Sequence, residues 1–251
     1  MVKVKFCGLR RPEDIEAVNE LGIDYAGFVF AKKSKRYVDP GTALELKKKL
    51  SPGITTVGVF VDEAPEDVAR LIKDGVIDIA QLHGSEDDAY IARLRGLIEP
   101  FDENVNPDSD NKSTNKDDRC KYDGMISEFN ESERMRGKEI KAYNTLSEET
   151  QIKIIKAYKI DTDEDVRKAN VSTADMILLD SGSGSGKEFD WSLLKEMKRP
   201  YFLAGGLDPT NAADAIEKLS PYALDVSSGI ETDGFKDKEK MTRFMERIGR
   251  R

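Results

Sequence analysis

The chain has 251 residues, enough to bury a full core either as one α/β barrel or as two smaller domains. Its 48 acidic residues outnumber 40 basic ones, and the net charge of −8 argues against a nucleic-acid footprint or attraction to an anionic membrane. Cys7 and Cys120 lie far apart without metal-ligand spacing, so no disulfide framework and no metal site is expected, and a reducing, cytoplasmic setting is.

The first residues, Met1-Val2-Lys3-Val4-Lys5-Phe6, alternate like a strand and are too short and too charged for a signal segment. No apolar run approaches the ~20 residues that span a bilayer, so a soluble protein is expected. A strand over 2–7 gives way to a helix from about Pro12, where proline suits an early helical position and Ile15, Val18 and Leu21 recur at helical spacing until Gly22. Strands follow over 25–30 and 55–61, with helices over 40–50 and 64–73. A fourth strand covers 77–83, and Ser85 with Glu86, Asp87 and Asp88 reads as a capped, acidic opening of a fourth helix.

After Gly96 the pattern breaks. Residues 97–151 are rich in Asp, Asn, Ser and Lys, a composition that cannot bury enough apolar surface to offset chain entropy. Lying between helix and strand, this segment is expected to be a partly disordered insertion at the N-terminal face of a barrel. Its end, Lys138-Glu139-Ile140-Lys141-Ala142-Tyr143, echoes Lys153-Ile154-Ile155-Lys156-Ala157-Tyr158, which leaves the start of the fifth strand open between 138 and 153. Beyond it come a helix over 162–169, a sixth strand ending at Asp180, a helix over 191–197 and a strand over 201–204. A helix capped by Asp208-Pro209, a strand over 223–227 and a last helix over 237–248 complete the chain. Strand–helix units repeated eightfold predict a single (β/α)₈ TIM barrel over 1–251 rather than an open sheet. No Gly-x-Gly-x-x-Gly follows the first strand, which removes the commonest dinucleotide signal.

Strand phase then sorts the side chains. Val2, Val4 and Phe6 share the side that packs under helices, while Lys3, Lys5 and Cys7 share the side that a closed barrel turns inward. By the same rule Gln81 and His83, Asp180, and Asp225 with Ser227 point inward. Lys5 and Asp225 lie on strands that become neighbours when the barrel closes, which predicts an ion pair. A lone cysteine is usually a small buried hydrophobe, but Cys7 stands where barrel strands present catalytic groups, and Lys5 is expected to lower its pKa. Asp180 follows four apolar residues, an environment that would keep a carboxyl protonated and able to donate. His83, the only histidine, suits a ligand contact or a hydrogen-bonded liner equally and is not assigned proton transfer.

Gly205-Gly206 after strand seven and Ser227-Ser228-Gly229 after strand eight occupy the frequent phosphate position of barrels, where bare backbone N–H groups approach phosphate oxygens. Ser181-Gly182-Ser183-Gly184-Ser185-Gly186 reads as a linker by composition or a lid by position. Lys33-Ser34-Lys35-Arg36-Tyr37 is a cationic loop on the same face, where one arginine turned inward can hold a carboxylate by two prongs.

These motifs resemble the phosphoribosylanthranilate isomerase family. The resemblance lies in Lys5-Phe6-Cys7-Gly8-Leu9, Gly27-Phe28-Val29-Phe30, Lys33-Ser34-Lys35-Arg36-Tyr37-Val38 and Val57-Gly58-Val59-Phe60-Val61. It continues through Gln81-Leu82-His83-Gly84, Leu178-Leu179-Asp180, the Gly184–Trp191 run, Ala204-Gly205-Gly206-Leu207 and Asp225-Val226-Ser227-Ser228-Gly229-Ile230-Glu231, leaving out 97–151. It implies an Amadori rearrangement of N-(5-phosphoribosyl)anthranilate in tryptophan biosynthesis. Asp180 would be the general acid, Cys7 the general base, Arg36 the carboxylate contact, and Gly206, Ser228 and Gly229 part of the phosphate site. No cofactor is implied, the partner is the small substrate, and the state is a monomer or homodimer. The rivals are another aminoaldose isomerase of the same barrel class, disfavoured because an acid is expected there in place of Cys7, and a non-catalytic scaffold that binds a partner through the insertion.

Overall fold

The computed structural model describes residues 1–98, 153–180 and 191–250. The predicted insertion, beyond Ile98, and the Ser/Gly run after Asp180 therefore lie outside the described residues.

In a sheet closed on itself, side chains alternate between the barrel interior and the helices outside. Eight parallel strands form one barrel in chain order: β1 (Lys3–Cys7), β2 (Tyr25–Val29), β3 (Thr55–Phe60), β4 (Ile79–Leu82), β5 (Ile154–Lys159), β6 (Met176–Asp180), β7 (Tyr201–Ala204) and β8 (Ala223–Val226). β1 pairs with β8 in the register Lys3↔Ala223 to Phe6↔Val226, which sets Lys5 beside Asp225. Outside lie helices α1 (Pro12–Leu21), α2 (Pro40–Lys47), α3 (Pro65–Lys73), α4 (Asp88–Ile98), α5 (Asp163–Val171), α6 (Ala212–Leu219) and α7 (Lys238–Arg247). Of the two echoing segments, the one at 153–158 supplies the fifth strand, paired on one side with β4 and on the other with β6.

The predicted phase holds. Val4, Phe6, Ile177 and Leu179 join the apolar layer between barrel and helices. Tyr25, Val57, Ile79, Ile155, Met176, Leu178 and Phe202 fill the barrel's own interior. Each such buried side chain contributes about 1.5–3 kcal/mol, so the lower interior is a packed apolar plug and not a channel. Above this plug, from Lys5 and Asp225 to the C-terminal strand ends, the inward face turns polar.

Three local boundaries differ from the sequence reading, the first for a non-local reason. Ser85 does not cap α4, because Asp62 on the preceding loop takes both its N–H and its hydroxyl at 2.7 Å. Glu86 is drawn into a buried pair with Lys156 at 3.1 Å, and the cap falls to Asp87, whose carboxylate accepts from Tyr90 N–H at 2.8 Å. Asp208 accepts from Thr210 in a tight turn, so α6 begins at Ala212. The expected helix over 191–197 is a 3₁₀ helix, Trp191–Glu196. One element was not foreseen: a two-stranded hairpin after β8, formed by β9 (Glu231–Thr232) and β10 (Phe235–Lys236).

Candidate active site

Lys5 is wholly buried, and its ammonium donates to Asp225 Oδ2 at 2.8 Å, as the closure of β1 on β8 predicts. Burial pulls the Lys5 pKa down, but Asp225 and then Cys7 more than reverse this, so the lysine stays charged. The other carboxylate oxygen, Asp225 Oδ1, is buried without a hydrogen-bond partner. Cys7, 8% exposed, sits above this pair among Val29 and Val59. Gly27 is its register partner across β1–β2, and a Cβ there would come within 2.9 Å of Cys7 Cα and 3.0 Å of its Sγ. The bare glycine gives the thiol its room.

The Lys5 effect on Cys7 has the expected sign but does not decide the outcome. Burial pushes the thiol up, and Asp225 pushes it further, while Lys5 and Lys236 pull it down, so that its pKa ends above the ordinary value. The main reason is burial, and the Asp225 carboxylate beside Lys5 offsets part of the lysine's pull on the thiol.

On the other side of the opening, His83 Nε2 lies 3.3 Å from Asp180 Oδ2. Gln81, fully buried, places its amide nitrogen 2.9 Å from His83 Nδ1. With the amide donating there, the free imidazole proton sits on Nε2 and faces the carboxylate. This group is wetter than the first, with side-chain exposures of 34% for His83 and 29% for Asp180.

The two glycine turns meet over the ends of β7 and β8. Gly205 and Gly206 take φ of 92° and 61°, the left-handed region that side chains disfavour. A Cβ on Gly229 would fall 1.9 Å from Leu207 O, so the two turns pack backbone against backbone. Ser227 turns its hydroxyl to Cys7 O at 3.1 Å, tying the β8 end to the β1 end. Ser228 opens the short 3₁₀ turn that runs to Ile230.

Arg36 reaches the same rim. Its loop folds back on β2 through Val38 N–H to Val29 O, and its stem passes directly over Gly8, where a Cβ would meet Arg36 Cδ at 2.5 Å. Its guanidinium is held by Glu231, with Nε to Oε1 and Nη2 to Oε2 both 2.7 Å. Lys236 donates to Glu231 Oε1 at 2.7 Å and to Ser227 O at 2.9 Å. Arg36 and Lys236 together hold the Glu231 carboxyl down at about 2 against burial. The sequence alone points to no role for Glu231 or Lys236. The available signal was Asp233-Gly234, a hairpin dipeptide whose φ values are 53° and 77°. Among the described residues no group of three or more His, Cys, Asp or Glu is placed to hold a metal.

The sequence profile of a family described as N-(5'-phosphoribosyl)anthranilate (PRA) isomerase matches residues 4–123 and 134–247. An N-(5'-phosphoribosyl)anthranilate isomerase of Clostridium acetobutylicum is 37% identical over 257 aligned positions, which take in 99% of this chain and 98% of the relative. The crystal structure of phosphoribosyl anthranilate isomerase from Thermotoga maritima superposes with a TM-score of 0.70 at 30% identity, covering 99% of each chain. A phosphoribosyl anthranilate isomerase bound to reduced 1-(o-carboxyphenylamino)-1-deoxyribulose 5-phosphate gives 0.69 at 29% identity, again over 99% of each chain.

Proposed function

The chain belongs to the N-(5'-phosphoribosyl)anthranilate isomerase family, and on that premise we propose that Cys7 and Asp180 act as its general base and general acid. The enzyme is an aldose–ketose isomerase. It converts N-(5-phosphoribosyl)anthranilate into 1-(2-carboxyphenylamino)-1-deoxyribulose 5-phosphate by an Amadori rearrangement, the third step from chorismate in tryptophan biosynthesis.

Asp180 gives its proton to the ribose ring oxygen as the bond to C1 breaks, which leaves an iminium at C1. His83 beside Asp180 favours the carboxylate that this step creates, and Gln81 orients the imidazole. Cys7, as thiolate, takes the C2 proton that the adjacent iminium has made acidic. The resulting enolamine gains a proton at C1 and loses one from the C2 hydroxyl, giving the ketone. The glycine turns at Gly205-Gly206 and Ser227-Ser228-Gly229 receive the phosphate, and Arg36 the anthranilate carboxylate. The observation that carries this assignment is the placement of Cys7 and Asp180 on strands separated by β7 and β8, both at the polar end of an otherwise apolar barrel.

Several finer points belong to the same reading. The whole chain is one barrel domain with 97–151 inserted at the face opposite the site, supported by α4 ending at Ile98 and β5 starting at Ile154. The setting is the cytoplasm, in keeping with the biosynthetic step; no helix among the described residues is long and apolar enough to cross a membrane. The state is a monomer or homodimer.

Loss of substrate fluorescence, followed in wild type, Cys7→Ser and Asp180→Asn, tests the assignment. Each substitution is expected to lower kcat at least ~10²-fold, as for a lost acid or base. Activity within threefold of wild type in either variant removes that residue from the mechanism.

A further inference from the structure

Arg36 is more tightly held than a carboxylate contact needs to be in the absence of ligand. Three restraints converge on it. Gly8 lies beneath its stem, leaving no room for a Cβ. Ser34 Oγ accepts from its backbone N–H at 3.1 Å. Glu231 takes Nε and Nη2 in a two-pronged contact at 2.7 Å each, which leaves the Nη1 edge outside that fork. Glu231 is itself anchored: Lys236 Nζ reaches its carboxylate at 2.7 Å and Lys240 Nζ reaches its backbone carbonyl at 2.6 Å.

We infer that Glu231 is a positioning residue for Arg36, and that the hairpin carrying Glu231 and Lys236 sets the enzyme's preference for a substrate ring bearing one carboxylate. This deepens the reading of Arg36 as the carboxylate contact and rests on it. Two cations against one carboxylate leave the trio with a net charge of about +1, enough to match one anionic group without leaving the glutamate unpaired. The fork fixes the guanidinium plane before the ligand arrives, so less rotamer freedom is lost on binding. Coulomb attraction alone makes the opposite prediction, since removing an anion beside Arg36 would strengthen its hold on a carboxylate.

Two ligands separate these effects: the reduced product, and its counterpart lacking the ring carboxylate. Calorimetric titration gives the ratio of their dissociation constants, which reads carboxylate recognition alone. Glu231→Gln is expected to shrink that ratio about 10-fold by weakening only the carboxylated ligand, equivalent to about 1.4 kcal/mol. Affinity for the ligand without the carboxylate stays within threefold of wild type, which a merely unfolded or displaced hairpin would not allow. A ratio that holds or grows in Glu231→Gln overturns the inference, as does equal weakening of both ligands. Arg36→Met is the control for the premise: an unchanged ratio there means that Arg36 is not the carboxylate contact. If Glu231→Gln does not fold, Glu231→Asp carries the same test, since it keeps the charge but shortens the reach of the fork. A wild-type ratio in that variant also overturns the inference.

Discussion

The two sides of the barrel mouth differ in how they hold their ionisable groups. On the β1–β8 side, Lys5, Cys7 and Asp225 are nearly or wholly buried and are balanced against one another. On the β4–β6 side, His83 and Asp180 are about one-third exposed and touch at 3.3 Å. On the proposed assignment, the base stands in a dry setting where neighbouring charges offset one another, and the acid stands near water. The dry side should respond to substitution through stability, and the wet side through rate.

Asp225→Ala probes the dry side most severely. It leaves Lys5 as an uncompensated buried ammonium, which costs about 3–5 kcal/mol and should lower both the melting temperature and the urea midpoint. Replacing both partners, Lys5→Met with Asp225→Leu, should restore most of that stability, because a buried pair is worth little more than good apolar packing. The double variant should nonetheless stay impaired in kcat, since the pull of Lys5 on the Cys7 thiol outweighs the opposing push of Asp225 and both are lost together. A fully active double variant would reduce the pair to packing.

The pH–rate profile sharpens the contrast next. A base works deprotonated, so kcat/KM should climb with pH through the pKa of Cys7. Burial raises that pKa, which places the climb above the ordinary thiol range of about 8.5 in the free enzyme. Cys7→Asp supplies a carboxylate, ordinarily near 3.9, and should move the climb to the acid side while keeping more activity than Cys7→Ser. An unmoved climb would assign the limb to another group.

On the wet side, His83→Asn should lower kcat roughly 10-fold with melting temperature unchanged, well short of the ~10²-fold expected from losing Asp180. A drop in stability without a change in kcat would make His83 a liner, which the sequence left as an equal alternative.

How much of this was legible follows from which forces are local. Period-two alternation in Lys3–Cys7 and Met176–Asp180 is a short-range pattern, so the inward set of Lys5, Cys7 and Asp180 could be read directly, and closure of the barrel then gave Lys5–Asp225. The misread features are decided across the chain. Ser85 looks like a cap until Asp62 captures it, and Glu86 looks like a first-turn acid until Lys156 buries it. The thiol's net shift depended on burial, which a sequence does not display. Glu231 shows no role in its motif, because its partners Arg36 and Lys236 meet only when the hairpin folds over the β2 loop.

That hairpin also yields the smallest expected effect. The Glu231 carboxyl is held at about 2 in the folded protein, against an ordinary value of 4.5, so the folded state binds its proton less readily than the unfolded state. Its contribution to stability is therefore complete above about 4.5 and is lost as pH falls toward about 2. Glu231→Gln has no such proton to take up. Melting curves of wild type and Glu231→Gln should thus converge as pH falls from 4.5 to 2, with the wild type the more stable at neutral pH. The gap will be modest, because the Glu231 and Lys236 side chains are largely buried but the Arg36 half of the contact is about one-third exposed and solvent screens it. A gap that persists unchanged across that window would show that Glu231 supports the hairpin by packing, and would weaken the case that its charge is what holds Arg36.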